Sequence, residues 1–248
     1  MNKMSTEIPA SNEGSLLTAF REIVNARRSV RKFDETPLPE EVIRDCLDLA
    51  MKAPNSSNLQ PWEFHVVRSP ELRKALVPAC FGQNAARTSQ AMIVVVARTD
   101  TWSQHCRDIL KQWPGGEVPK LARQYYEKLA PFNYAQGPFG AFGFVKRILF
   151  SVMGLFRPVP RFPVSQSGMK LWATKSTALA CENLMLALSA HGFDSCPLEG
   201  FDEVRVRKIL GLPRGRSVVM IVAAGKRSDD GVYGSQFRFD SERFVHFL

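Results

Sequence analysis

A chain of 248 residues is long enough to bury a sizeable core in one domain, and 45% hydrophobic against 23% charged residues excludes wholesale disorder. The net charge of +9 raises nucleic acid, a membrane surface or an anionic ligand as partners. The basic residues are spread along the chain, and their densest cluster, Arg27-Arg28-Ser29-Val30-Arg31-Lys32, is compact enough for one phosphate group.

Residues 1–15 are polar, lack the apolar run of a secretory signal and read as a flexible N-terminus, with one domain filling 16–248. Leu16, Leu17, Phe20, Ile23 and Val24 recur at helical spacing, so an amphipathic helix runs into the basic cluster. A second helix follows Pro39, with Glu40 and Glu41 suited to its N-terminus and Val42, Ile43, Cys46, Leu47 and Ala50 as its apolar face, and it ends near Pro54. Asn55-Ser56-Ser57-Asn58 reads as a loop and Glu63 to Arg68 as a strand. Ser69-Pro70 opens a further helix, and Ala91 to Arg98 is a buried strand.

From Thr99 to about Val164 the pattern is irregular, with Pro114-Gly115-Gly116, a helical segment around Leu121 to Leu129 and a glycine-rich aromatic stretch from Phe132 to Phe144. It reads as an insertion or lid. Within it, 139–156 is apolar, but Lys146 and Arg147 interrupt the run and it is short of the ~20 residues a spanning helix needs. Gln166 to His191 is a long buried helix that Gly192 stops; a short helix from Asp202 to Leu210 and a strand from Ser217 to Ala224 precede a glycine-containing tail. Helices interspersed with few strands indicate an α/β or α+β domain. The scattered Cys46, Cys80, Cys106, Cys181 and Cys196 form no C-x-x-C pair and have no H-x₃-H partner, which argues against a disulfide framework or a metal site and fits a reducing, cytoplasmic setting.

Four segments carry groups suited to ligand chemistry. In Arg27-Arg28-Ser29-Val30-Arg31 adjacent guanidinium groups and a hydroxyl offer several donors to phosphate oxygens, although basic residues also suit a solvated helix end. Between Pro54 and Pro61 the Asn and Ser residues either present a hydrogen-bonding loop to a flat heterocycle or satisfy their own turns. Cys196-Pro197-Leu198-Glu199-Gly200-Phe201 reads as a turn between the long helix and the short one, able to bond a ring edge through backbone N–H groups, or needing Gly200 only for the turn. Arg238 in the tail is placed to return a charge to the first segment.

In this order the four segments resemble the FMN-dependent nitroreductase family. The resemblance rests on Arg-Arg-Ser-Val-Arg-Lys-Phe-Asp, then a helix, then Ala-Pro-Asn-Ser-Ser-Asn-Leu-Gln-Pro-Trp-Glu-Phe, with Pro-Leu-Glu-Gly-Phe-Asp before the last apolar strand. It covers roughly 18–98 and 166–240 and leaves 99–164 outside. It implies an α+β (α/β) fold, with a central mixed, mainly antiparallel sheet surrounded by helices, in an intertwined homodimer. FMN would be the cofactor and NADH or NADPH the reductant, in a ping-pong reduction of a small acceptor such as a nitroaromatic or quinone.

By that similarity Arg27, Arg28, Ser29 and Arg238 would bind the phosphate, and Arg31 would place a fixed charge beside the flavin N1/O2 edge, stabilising the reduced ring. Pro54, Asn55, Ser56 and Asn58 would reach the flavin from the second subunit, while Pro197, Leu198, Glu199 and Gly200 would cover one ring face. Two departures stand out. A second flavin-edge lysine of the family falls on Ala85, with Gln83 as the candidate ribityl contact, and a tail position often basic in relatives is Gln236.

Family relatives also perform reductive dehalogenation, substrate oxidation and flavin cleavage. Trp102, Trp113, Tyr125, Tyr126, Phe132 and Tyr134 either stack an aromatic acceptor or pack a core, and His105 is a weak candidate for a general acid. In a different class of function, the charge and the segment 144–150 permit a membrane-surface or nucleic-acid contact. A lid or dimer-packing helix accounts for the same residues with no further partner and is preferred.

Overall fold

The computed structural model describes residues 13–248. Of the N-terminus expected to be flexible, 1–12 lie outside the described residues, and Glu13 to Ser15 already belong to the first helix, α1 (Glu13–Ala26). Four antiparallel strands form the sheet: β1 (Trp62–Val67), β2 (Ala91–Arg98), β3 (Asp194–Leu198) and β4 (Arg216–Gly225), in the order β1-β2-β4-β3. The two central strands are the continuous apolar runs of the sequence because both sheet faces are covered. Side chains of β2 alternate with period 2. Met92, Val94 and Val96 pack with Leu76, Ala85 and Val206 of α3 (Pro70–Ala79), α4 (Asn84–Thr88) and α10 (Glu203–Ile209). Ala91, Ile93 and Val95 pack with Ile43, Cys46, Cys181 and Leu184 of α2 (Glu40–Ala50) and the central helix α9 (Gln166–Ala190).

The sequence pattern places a turn where β3 stands. Strand pairing runs through Leu198, so the turn is confined to the residues from Glu199 onward. Asp194, Ser195 and Pro197 are poor strand formers, but β3 pairs with one neighbouring strand, β4, and an edge position tolerates a proline that has no N–H to give. The outer side of β3 is met by the segment after α1: Val30 N–H donates to Ser195 O at 3.0 Å, and Ser29 and Ser195 form a parallel bridge, which makes the sheet mixed. Val30 and Phe33 enter the core, while Ser29 and Arg31 are only partly covered or exposed.

The segment 99–164, irregular in the sequence, is a set of helices broken at Pro and Gly: α5 (Trp102–Lys111), α6 (Lys120–Gln124), a π turn at Tyr125–Leu129, α7 (Ala130–Tyr134) and α8 (Ala141–Met153). Cys106, Ala130 and Tyr134 bury themselves against Met169 and Trp172 of α9. By contrast, the apolar face of α1 is uncovered, with Leu16, Leu17, Phe20 and Val24 all exposed.

All five cysteines are buried and unpaired. Burial pushes the thiols of Cys46 and Cys181 up to about 12, because a thiolate in the core loses its hydration. Below the unfolded value of 9.0 the stabilising effect of these raised values is fully present, and it is lost as pH rises from there through about 12, since only the unfolded chain releases its protons. Chemical denaturation at stepped pH should therefore show stability falling above pH 9. Native protein at neutral pH should resist thiol alkylation that unfolded protein undergoes; rapid native labelling of Cys46 or Cys181 would contradict it.

Candidate functional site

The end of α1 is fixed by Arg27 N–H donating to Ile23 O at 3.1 Å, and the chain then turns along β3. The inward anchor Val30 leaves Arg27, Arg28, Ser29 and Arg31 along one wall of a cavity of about 180 Å³, whose other wall is Ser235, Gln236, Phe237 and Arg238. The tail thus returns to the basic cluster. Among the described residues no carboxylate lines this cavity. Arg27 Nε is buried with no hydrogen-bond partner among the described residues, and the Glu182 carboxylate stands 3.7 Å away. Arg28 Nη2 donates to Gly234 O at 2.6 Å. Arg31 holds the tail by its backbone, donating to Gly231 O at 2.8 Å, and its guanidinium lies 5.3 Å from the centre of the Tyr233 ring. Gly231 is required by close approach: a Cβ there would stand 2.5 Å from Lys32 O.

Two further predicted residues meet beside this cradle. Gln83 Nε2 donates to Gly200 O at 2.6 Å and to Cys80 O at 3.0 Å, tying the entry of α4 to the turn after β3. Asn84 Nδ2 donates to the Tyr233 hydroxyl at 3.3 Å, so Arg31, Tyr233, Asn84, Gln83 and Gly200 form one connected wall. Leu198 sends its side chain into the core, leaving its backbone for the site. Tyr233 and Asn84 were not singled out in the sequence, where nothing ties position 233 to position 31.

The Asn/Ser loop lies elsewhere. Pro54, Asn55, Ser56 and Ser57 line a cavity of about 510 Å³ with residues of α7 and α9, and Asn58 faces a separate one beside His105 and Asp108. Ser57, Asn58 and Gln60 have φ of 60°, 50° and 44°, a region side chains enter at a cost. Three tyrosines from 99–164 hold Ser56 and Ser57 at the start of this stretch. The Tyr134 hydroxyl is 3.1 Å from Ser56 Oγ and 2.8 Å from Ser57 Oγ, the Tyr125 hydroxyl bonds Ser57 Oγ at 2.5 Å, and Tyr126 donates to Ser57 O at 3.1 Å. His105 Nδ1 is 2.6 Å from Leu59 O, a structural contact. Burial raises the Tyr134 pKa, keeping the hydroxyl protonated for these bonds. Asn55 Oδ1 accepts from Gln60 N–H at 2.7 Å and so satisfies its own turn. Of the aromatics considered for an acceptor, Tyr134 instead packs on Trp172 at 4.7 Å, and Phe132 remains partly exposed.

A model of the family described as "Nitroreductase family" matches residues 24–226. The chain belongs to the nitroreductase family. This nitroreductase-family chain is 31% identical to a protein of Thermus thermophilus named NADH dehydrogenase, over 88% of this chain and 91% of that protein. It is 30% identical to YdgI of Bacillus subtilis, named for NAD(P)H nitroreductase, over 90% of this chain and 95% of the relative. Among solved structures it resembles a nitroreductase of Exiguobacterium sibiricum in complex with FMN, with a TM-score of 0.67 at 27% identity, covering 92% of this chain and 97% of that one. As a member of this family it is an FMN-dependent oxidoreductase with NAD(P)H as its reductant. The cradle fits an FMN phosphate, since its lining is cationic and free of carboxylates.

Tyr134→Phe removes the hydroxyl shared by Ser56 and Ser57 and should lower the unfolding free energy by about 1–2 kcal/mol, with the fold kept. Urea denaturation reads this; an unchanged midpoint would show that the loop does not lean on that hydroxyl.

Proposed function

We propose that this chain acts as a homodimer with two composite FMN sites, taking reducing equivalents from NAD(P)H and passing them to a small acceptor such as a nitroaromatic or quinone by a ping-pong route. The observation that carries the reading is the carboxylate-free cradle formed by Arg27, Arg28, Ser29 and Arg31 with Arg238. When bound, FMN supplies the two-electron chemistry. Arg27, Arg28 and Arg238 bind its phosphate through charge-assisted hydrogen bonds. Arg31, held by Gly231 and Tyr233, keeps a fixed positive charge for the pyrimidine edge of the ring, stabilising negative charge gained on reduction without any proton transfer. The backbone of Pro197, Leu198, Glu199 and Gly200 would hold one side of the ring, with Gln83 fixing the Gly200 carbonyl.

Sheet geometry supports the second subunit. Ser29 docks on Ser195, which pairs with Ala224 at one end of β4, whereas the Asn/Ser loop leads into Trp62, opposite Ala97 and hence Ser217 at the other end. These are diagonal corners of the sheet, separated by roughly 24 Å along the strands and about 14 Å across them. A single flavin does not bridge both corners of one chain, so a loop that reaches the flavin comes from a partner copy. The exposed apolar face of α1 provides surface for such a copy.

Arg27→Ala with Arg28→Ala should weaken FMN binding by on the order of a hundredfold or more, given ~1.5–3 kcal/mol per charged hydrogen bond; flavin fluorescence titration measures it, and wild-type affinity would sink the phosphate assignment. Arg31→Ala should leave binding largely intact but lower the flavin potential and slow reduction. Leu16→Glu with Phe20→Glu should yield monomers that lose FMN in sedimentation experiments, whereas flavin-loaded monomers would remove the composite site. Stopped-flow mixing should show flavin reduction by nicotinamide without acceptor present.

A further inference from the structure

α8 is turned inside out for a helix in water. Its inward face is narrow, made by Gly143, Lys146 and Phe150. Lys146 Nζ donates to the carbonyls of Phe132, Asn133 and Ala135 at 3.0, 2.8 and 2.7 Å. Carbonyls at a helix end lack intrahelical partners, so this lysine acts as a cap for α7, and its burial lowers its pKa. Phe144, Val145, Ile148, Leu149 and Val152 point outward instead, each 45% to 64% exposed. At 100° per residue they cover an arc of about 140°. Past the helix, Leu155 and Phe156 extend the patch at 79% and 85% exposed.

The charge in the sequence that carries this patch has one sign. From Lys128 to Cys181 the sequence contains no aspartate or glutamate, but it carries Lys128, Lys146, Arg147, Arg157, Arg161, Lys170 and Lys175. Arg147, Arg157 and Arg161 are exposed and flank the apolar residues. A second copy meeting this face symmetrically would set like charge against like, with no carboxylate of the region to pair it. A nucleic acid would leave the phenylalanine, isoleucine and leucine side chains without use. The combination of a broad apolar arc and flanking guanidinium groups matches an anionic lipid surface. With 13 residues α8 is about 20 Å long, and among the described residues no helix is long and apolar enough to cross a membrane.

We propose that α8 and the Leu155–Phe156 turn dock this protein on an anionic membrane surface, the apolar side chains entering the headgroup boundary and Arg147, Arg157 and Arg161 pairing with lipid phosphates. The proposal is independent of the flavin reading. Its test is co-sedimentation of the full-length protein with vesicles of phosphatidylcholine alone or mixed with phosphatidylglycerol. Binding should require the anionic lipid and weaken as ionic strength rises to the physiological range. Ile148→Glu with Val152→Glu, and separately Arg147→Glu with Arg157→Glu, should each reduce it on the order of tenfold or more, at unchanged flavin absorbance and sedimentation coefficient. Absence of wild-type binding, equal binding to neutral vesicles, or a change of association state in the Ile148/Val152 variant would overturn it, the last by assigning the face to a second copy. If that variant does not fold, the arginine pair decides alone.

Discussion

The Asp194 carboxylate fixes the geometry on which the basic cradle depends. It is 8% exposed and accepts from Arg227 N–H at 3.1 Å, from Arg227 Nε at 2.9 Å and from Nη2 at 2.5 Å. That hydrogen bonding raises the Arg227 pKa and clamps the first residues beyond β4 to the start of β3. One clamp has two consequences. The tail leaves β4 along the path that carries Gly231, Tyr233 and Arg238 back to the basic cluster, and the other side of β3 stays open for Ser29 and Val30. A buried carboxylate satisfied by several donors of one arginine is costly to rearrange, since removing either partner strands a charge near the core.

The Asn/Ser loop is held by a different balance. Left-handed conformations at Ser57, Asn58 and Gln60 cost of order 1 kcal/mol or more each. The hydroxyls of Tyr125, Tyr126 and Tyr134, at ~1 kcal/mol per hydrogen bond, return a similar amount. The helices of 99–164 therefore do more than cover α9: they hold a strained loop in a single shape, ahead of any contact with a ligand. In the composite site proposed above, such rigidity would favour association, because little ordering of the loop would remain to be done.

How legible each feature is in the sequence depends on the range of the interaction that makes it. Continuous apolar strands and α9 are local patterns, and they fall within a residue or two of the expected bounds, whereas α2, expected to run to near Pro54, ends at Ala50. β3 leaves no strand signal in the sequence because its pairing is long-range and its residues are poor strand formers; tertiary pairing overrides propensity there. Taken alone the basic cluster reads more readily as a solvated helix end, and only the fold brings Arg238, far along the chain, to the opposite wall of its cavity. The tyrosine clamp spans 77 residues between Ser57 and Tyr134 and left no spacing to detect. In the segment 139–156 Lys146 looked like a break in an apolar run; facing inward, it restores that run on the outer surface.

The net charge of +9 also resolves by location. One share lies in the cradle, where guanidinium groups converge on a small carboxylate-free cavity and favour a compact phosphate. Another lies along the acid-free stretch from Lys128 to Cys181, where every lysine and arginine except the buried Lys146 is exposed. Convergent charge rewards one anionic group at fixed distance, whereas dispersed charge beside apolar side chains rewards many weak anionic contacts on a plane. Of the partner classes that composition raised together, the cradle favours an anionic ligand, and the α8 patch carries the features on which the membrane proposal rests.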